Sequence, residues 1–181
     1  MKTLNTIQKL SKLGKILSKI IFVFCLVGGI LCVVGIIGLA LIPDGIKLGG
    51  VTIRGLIEKN ADISVGTCYA AMAVGIVFCA GEAVLCKFAE RYFKNELKAG
   101  TPFTFDGAKE LMRLGILTIC IPVGTTIIAE IVYQIMKHSF SDVVGFDLGG
   151  SISVGLGIMF IVTSLICRHG AEISQGKTGE E

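Results

Sequence analysis

Residues 20–41 form a run of 22 positions without a charged side chain, and three comparable runs follow at 65–86, 114–136 and 148–167. The second and third are each interrupted by one carboxylate, Glu82 and Glu130 respectively. A helix rises ~1.5 Å per residue, so about 20 residues cover a hydrocarbon core of ~30 Å. Each run is long enough to cross a bilayer. With 52% apolar and 17% charged residues, the chain is also far more apolar than an ordinary soluble domain. The expected fold is all-α: a four-helix transmembrane bundle in a single membrane domain over 1–181, with spans at about 20–42, 65–87, 114–136 and 148–167.

The basic residues assign an orientation. Residues 1–19 carry five Lys, the stretch 87–113 carries six Lys or Arg, and the tail after Cys167 carries two; the other two loops hold three and one. Thirteen against four places both termini and the connector 88–113 in the cytoplasm by the positive-inside rule. An even number of spans agrees.

Within residues 1–19, Leu4, Ile7, Leu10, Leu13 and Leu17 recur every three or four positions, with Lys2, Lys9, Lys12, Lys15 and Lys19 between them. This predicts an N-terminal amphipathic interfacial helix lying on an anionic membrane surface. A cleavable signal would have a shorter apolar region followed by a small-x-small site and a polar mature start; here the run is 22 residues long and ends in Ile42-Pro43-Asp44-Gly45, so it reads as an uncleaved first span. In the first outer loop, residues 46–54 alternate around Gly49-Gly50, the pattern of a small extracytoplasmic β-hairpin cap, to which residues 143–148 would add a third strand.

Small residues crowd the second and fourth spans (Ala70, Ala73, Gly75, Gly81; Gly155, Gly157) and predict close helix packing there. Pro122 with Gly124 is expected to kink the third span. The seven cysteines all lie in or at the edge of apolar runs, and no C-x-x-C occurs, so they read as small apolar residues. No metal ligand set, cofactor motif or hydrolase, kinase or nucleotide signature is present. Neither enzyme activity nor a cofactor is expected.

Two groups of residues remain as functional candidates. An ionisable residue inside a span is costly and by default a functional hypothesis, which selects Glu130 and Glu82, with Pro122 as the associated kink. Glu82 lies near the inner boundary, where it would reach interfacial water or pair with Lys87, and Glu130 lies near the outer end of its span, where Tyr133 or Gln134 would partner it. The other group is cytoplasmic. Phe88, Tyr92, Phe93 and Leu97 alternate helically with Lys87, Glu90, Arg91, Lys94 and Glu96, so the second span is expected to continue as an amphipathic helix. Gly100 would stop it, Pro102 would keep Thr101 extended, and Thr104 would cap the next helix with Asp106 in its first turn.

Those residues also carry a resemblance. Gly100-Thr101-Pro102-Phe103-Thr104, leading to Leu111-Met112-Arg113-Leu114-Gly115, resembles the "G-x-P-F-T … L-R-x-I-G" signature of a bacterial membrane family catalogued as domain of unknown function 2975. Arg168-His169-Gly170-Ala171-Glu172-Ile173 is similar to its closing "R-x-G-A-E-L". The chain departs from the family pattern at Phe105-Asp106-Gly107 and in its tail from Ser174 onward. The resemblance implies a multi-pass protein of the bacterial cytoplasmic membrane, often encoded beside a small helix-turn-helix regulator.

The leading expectation is therefore a non-enzymatic membrane tether or regulatory partner. Its cytoplasmic face, Gly100, Pro102, Phe103, Thr104 and Arg113 with Arg168 and Glu172, would bind a cytoplasmic protein such as that regulator. The alternatives are a small oligomeric transporter or permeation subunit using Glu130, and a membrane-stress or immunity protein acting through its outer loops. The lipid bilayer is the expected environment, a homo-oligomer is compatible, and direct nucleic-acid binding is not expected because both arms of the connector are anchored to spans.

Overall fold

The computed structural model of the chain describes residues 2–41, 47–48, 51–52, 64–100, 104–143 and 154–176, with side chains over 8–41, 64–100, 104–143 and 155–173. Four helices make up almost all of it: α1 (Lys2–Leu41), α2 (Val65–Ala99), α3 (Phe105–Ser139) and α4 (Val154–Gly176). All four are long and apolar enough to cross a membrane. The architecture is all-helical, and the expected four-helix bundle fits it. Two short strands, β1 (Lys47–Leu48) and β2 (Val51–Thr52), pair antiparallel with Leu48 opposite Val51. The rest of that outer loop and residues 144–153, including most of the expected third strand and the start of the fourth span, lie outside the described residues.

The chain divides into two compact units. Residues 1–23, 82–123 and 151–181 form the first, and residues 24–81 and 124–150 the second.

In the first unit, Tyr92 of α2, Ala108, Leu111 and Leu114 of α3 and Cys167 of α4 form a buried cluster. Helices α3 and α4 approach closely at two glycines. A Cβ added to Gly115 would stand 3.0 Å from the Gly157 carbonyl oxygen, and one added to Gly157 would stand 3.0 Å from the Gly115 carbonyl oxygen. Ser164 of α4 donates to the Ala108 carbonyl at 2.6 Å. Backbone approach of this kind is how helices associate where lipid removes the hydrophobic drive between them.

The N-terminal segment differs from expectation. No separate interfacial helix forms: residues 2–19 run without a break into the apolar stretch as one 40-residue helix. At ~1.5 Å per residue it is about 60 Å long, twice a hydrocarbon core. The reason lies on the face opposite the leucines. Ser11 and Ser18 are buried, and Gly14 between them meets the Phe93 ring, which would lie 2.7 Å from an added Cβ. The small face thus docks on α2, Ser18 returns its hydroxyl to the Gly14 carbonyl, and Leu10, Leu13 and Leu17 remain exposed. Farther along, Lys87 lies 4.4 Å over the Phe22 ring.

In the second unit, Ala70 and Val74 of α2 pack with Ala129 and Tyr133 of α3. Ser64 caps α2, its hydroxyl accepting from Thr67 N–H at 3.1 Å and donating to the Asp142 carbonyl. Tyr69 stacks on Phe140 with ring centroids 5.5 Å apart. Gly35 meets Met72, Gly75 meets Cys32, and Gly81 meets Thr125, each too closely for an unadjusted Cβ. The small residues of the second span therefore serve close packing. Helix α3 remains helical through Pro122, and the seven cysteines are free thiols.

Candidate functional site

The site is built on the hairpin where α2 ends and α3 begins, within the first unit. Helix α2 runs on for 12 residues past position 87 because Tyr92 and Phe93 have α3 and α1 to pack against. It stops at Gly100, whose φ of 74° lies in the left-handed region that glycine adopts without steric cost. Gly100 N–H donates to the Glu96 carbonyl at 3.1 Å, and Gln8 of α1 reaches the Gly100 carbonyl at 3.4 Å. Thr104 then caps α3, its hydroxyl accepting from Gly107 N–H at 3.0 Å, while Asp106 places a negative charge in the first turn. Pro102 and Phe103 lie outside the described residues.

A polar layer ties these elements together. Asn95 donates to the Glu110 carboxylate at 2.7 Å. Glu96, half-buried, accepts hydrogen bonds from Ser11 and Tyr92; these favour its charged form, but burial outweighs them and raises its pKa. Burial, reinforced by the Glu96 charge, likewise pushes the Tyr92 hydroxyl up, so it stays protonated and able to donate. Tyr92 and Phe93 meet edge to face at 5.3 Å.

Two hollows open on this hairpin. One, of about 630 Å³, is polar and lined by Asn95, Glu96, Lys98, Thr104, Lys109 and Arg113 among others. The other, of about 360 Å³, is walled by Phe88, Tyr92, Leu114, Ile116 and Leu117 and bears Arg91, Glu110 and Arg113. Thr104 and Arg113 are thus brought to one groove. Arg168 and Glu172 are not part of it: they pair with each other on exposed α4 at 3.4 Å, with His169 3.8 Å from the same carboxylate. Cys167 and Ala171, beside them in sequence, are the residues of α4 that face inward.

The candidates within the apolar runs, Glu82, Pro122 and Glu130, do not line the hairpin hollows. Glu82 is exposed, and Lys87, its expected partner, pairs instead with Glu90 at 3.3 Å, one turn onward on the same helix. Glu130 is exposed and accepts from Gln134 at 2.8 Å, beside a shallow hollow that includes His138. Tyr133 belongs to the second unit's buried cluster. Among the described residues no group of three or more His, Cys, Asp or Glu side chains could hold a metal ion.

Sequence reasoning missed Gln8, Ser11, Asn95 and Glu110 as members of the site. The available signal was the spacing Ser11, Gly14, Ser18, a small-residue stripe on a helix whose leucines drew the attention. Comparison of the chain with protein-family models, with curated proteins and with solved structures finds no match.

Proposed function

We propose that this protein is a four-span, non-enzymatic membrane anchor whose α2–α3 hairpin projects into the cytoplasm and docks a cytoplasmic protein in its polar groove. A small helix-turn-helix regulator is the partner that the resemblance of residues 100–115 implies. On this reading the membrane is the bacterial cytoplasmic membrane, both termini are cytoplasmic, and β1 and β2 belong to an outer hairpin. The observation that carries the proposal is the groove of about 630 Å³, where Lys98, Lys109 and Arg113 alternate with Glu96, Asp106 and Glu110 on a hairpin fixed by Asn95–Glu110 and Gln8–Gly100. Interspersed charges on a rigid frame suit recognition of a complementary polar surface. Insertion in lipid is supported by the outward face of α1: Phe24, Ile30, Leu31 and Leu41 are all more than 60% exposed, and burying each in an apolar medium is worth about 1.5–3 kcal/mol.

The test is affinity purification of the tagged protein in mild detergent from its own cells, comparing wild type with Lys98→Glu/Lys109→Glu. The expected result is recovery of a helix-turn-helix regulator with wild type only, at equal amounts of the two proteins in the membrane. Equal recovery with both, or recovery of the tagged protein alone, contradicts the proposal.

A further inference from the structure

The smaller hollow has a different character from the polar groove. Its residues straddle the boundary between apolar and polar sequence. Phe88 and Arg91 follow the apolar run that ends at Cys86, Arg113 immediately precedes the next run, and Leu114, Ile116 and Leu117 lie inside it. The lining is therefore amphiphilic, combining the two guanidinium side chains of Arg91 and Arg113 with the aromatic and aliphatic walls of Phe88, Leu114, Ile116 and Leu117. The ion pairs among the described residues are Lys87–Glu90, Arg168–Glu172 and His169–Glu172, so neither Arg91 nor Arg113 is consumed by one. Glu110, the one carboxylate in the lining, accepts from Asn95 at 2.7 Å.

We infer that this cavity binds an anionic phospholipid of the cytoplasmic leaflet. Arg91 and Arg113 hold the phosphate, and an acyl chain runs along Phe88, Ile116 and Leu117. Guanidinium groups suit phosphate because they present paired N–H donors in a fixed plane and are less strongly hydrated than ammonium groups. The cavity volume of about 360 Å³ takes a headgroup and the first part of a chain, not a whole lipid, so the remaining tail stays in the bilayer. The inference rests on the membrane orientation proposed above but not on any protein partner.

The experiment is native mass spectrometry of the detergent-purified full chain titrated with phosphatidylglycerol, with phosphatidylcholine of the same acyl chains, and with inorganic phosphate. Wild type is expected to retain phosphatidylglycerol in preference to phosphatidylcholine. Arg91→Gln/Arg113→Gln is expected to weaken that retention about tenfold or more, the loss of two phosphate contacts, while Lys9→Gln/Lys12→Gln, which removes two exposed charges from α1, changes it by less than about twofold. Arg91→Lys/Arg113→Lys keeps the charge and gives an intermediate value, which separates phosphate geometry from misfolding. Equal binding of both lipids, an equal loss in the Lys9/Lys12 variant, or displacement of phosphatidylglycerol by inorganic phosphate overturns the inference. Alkaline extraction of the membranes distinguishes the two failures: release of the chain removes the membrane reading itself, whereas retention without lipid preference removes this inference alone.

Discussion

Tyr92 and Tyr133 each sit in a buried cluster on a helix–helix contact, at 8% and 6% exposure, yet their surroundings differ. Tyr133 packs among Ala70, Val74 and Ala129, with Val77, Phe78, Val132 and Met136 around them. Tyr92 clusters with Leu111, Leu114 and Cys167 and hydrogen-bonds Glu96, which also accepts from Ser11, while Asn95 and Glu110 bond across the same hairpin. In the first, apolar side chains of two helices pack around the ring. In the second, buried apolar contacts hold a set of charged side chains in fixed places, the condition for selective binding.

The largest expected effect tests whether the two cores are equal as structure. Tyr92→Ala and Tyr133→Ala should each lower stability by about 3–5 kcal/mol, the usual cost of truncating a large buried aromatic, seen as a lower unfolding midpoint in detergent. A conservative replacement should then separate them: Tyr92→Phe removes a hydroxyl bound to Glu96 and is expected to reduce partner recovery, while an equal reduction with Tyr133→Phe would erase the distinction.

Overpacking comes next. Gly157→Ala would press a methyl group against the Gly115 carbonyl oxygen and the Ile119 side chain and should cost about 1–3 kcal/mol in the same unfolding measurement. Gly124→Ala, where an added Cβ meets nothing within 4 Å, is the matched control and should be close to neutral or better. Thr104→Ala removes the cap of α3 and should cost about 1 kcal/mol.

The smallest effect concerns pH. Burial raises the Glu96 pKa in the folded chain above its ordinary value, so the folded state binds more protons than the unfolded state between those two values. Stability from this group is full below the ordinary carboxylate range and is lost as pH rises through the raised value. Amide exchange at residues 8–18 should accelerate with pH beyond its intrinsic rate in wild type, and Glu96→Gln should flatten that excess.

Much of the frame was legible in the sequence. Runs of about 20 apolar residues specify long helices, and the helix stop at Gly100 and the cap at Thr104 follow from a residue that tolerates φ of 74° and one whose hydroxyl accepts from the first turn. The course of α1 was not. Leu10, Leu13 and Leu17 with interspersed lysines look like a surface helix, but only the partner helix reveals that Ser11, Gly14 and Ser18 are the docking face. Glu82 with Lys87 misled because a separation of five does not set two side chains side by side on a helix, whereas Glu90, three residues beyond Lys87, lies on its face. The polar layer was hidden because Gln8 reaches Gly100, and Asn95 reaches Glu110, only through tertiary packing.

Both proposals require residues 88–113 to be a cytoplasmic hairpin carried by membrane spans. The direct measurement places a single cysteine at Lys98, in a chain whose seven native cysteines are replaced by Ala or Ser, and labels it with a membrane-impermeant thiol reagent. Labelling in inverted membrane vesicles and none in intact cells is the result expected. Labelling in intact cells would put the hairpin on the other side of the membrane and contradict both the docking and the lipid assignments.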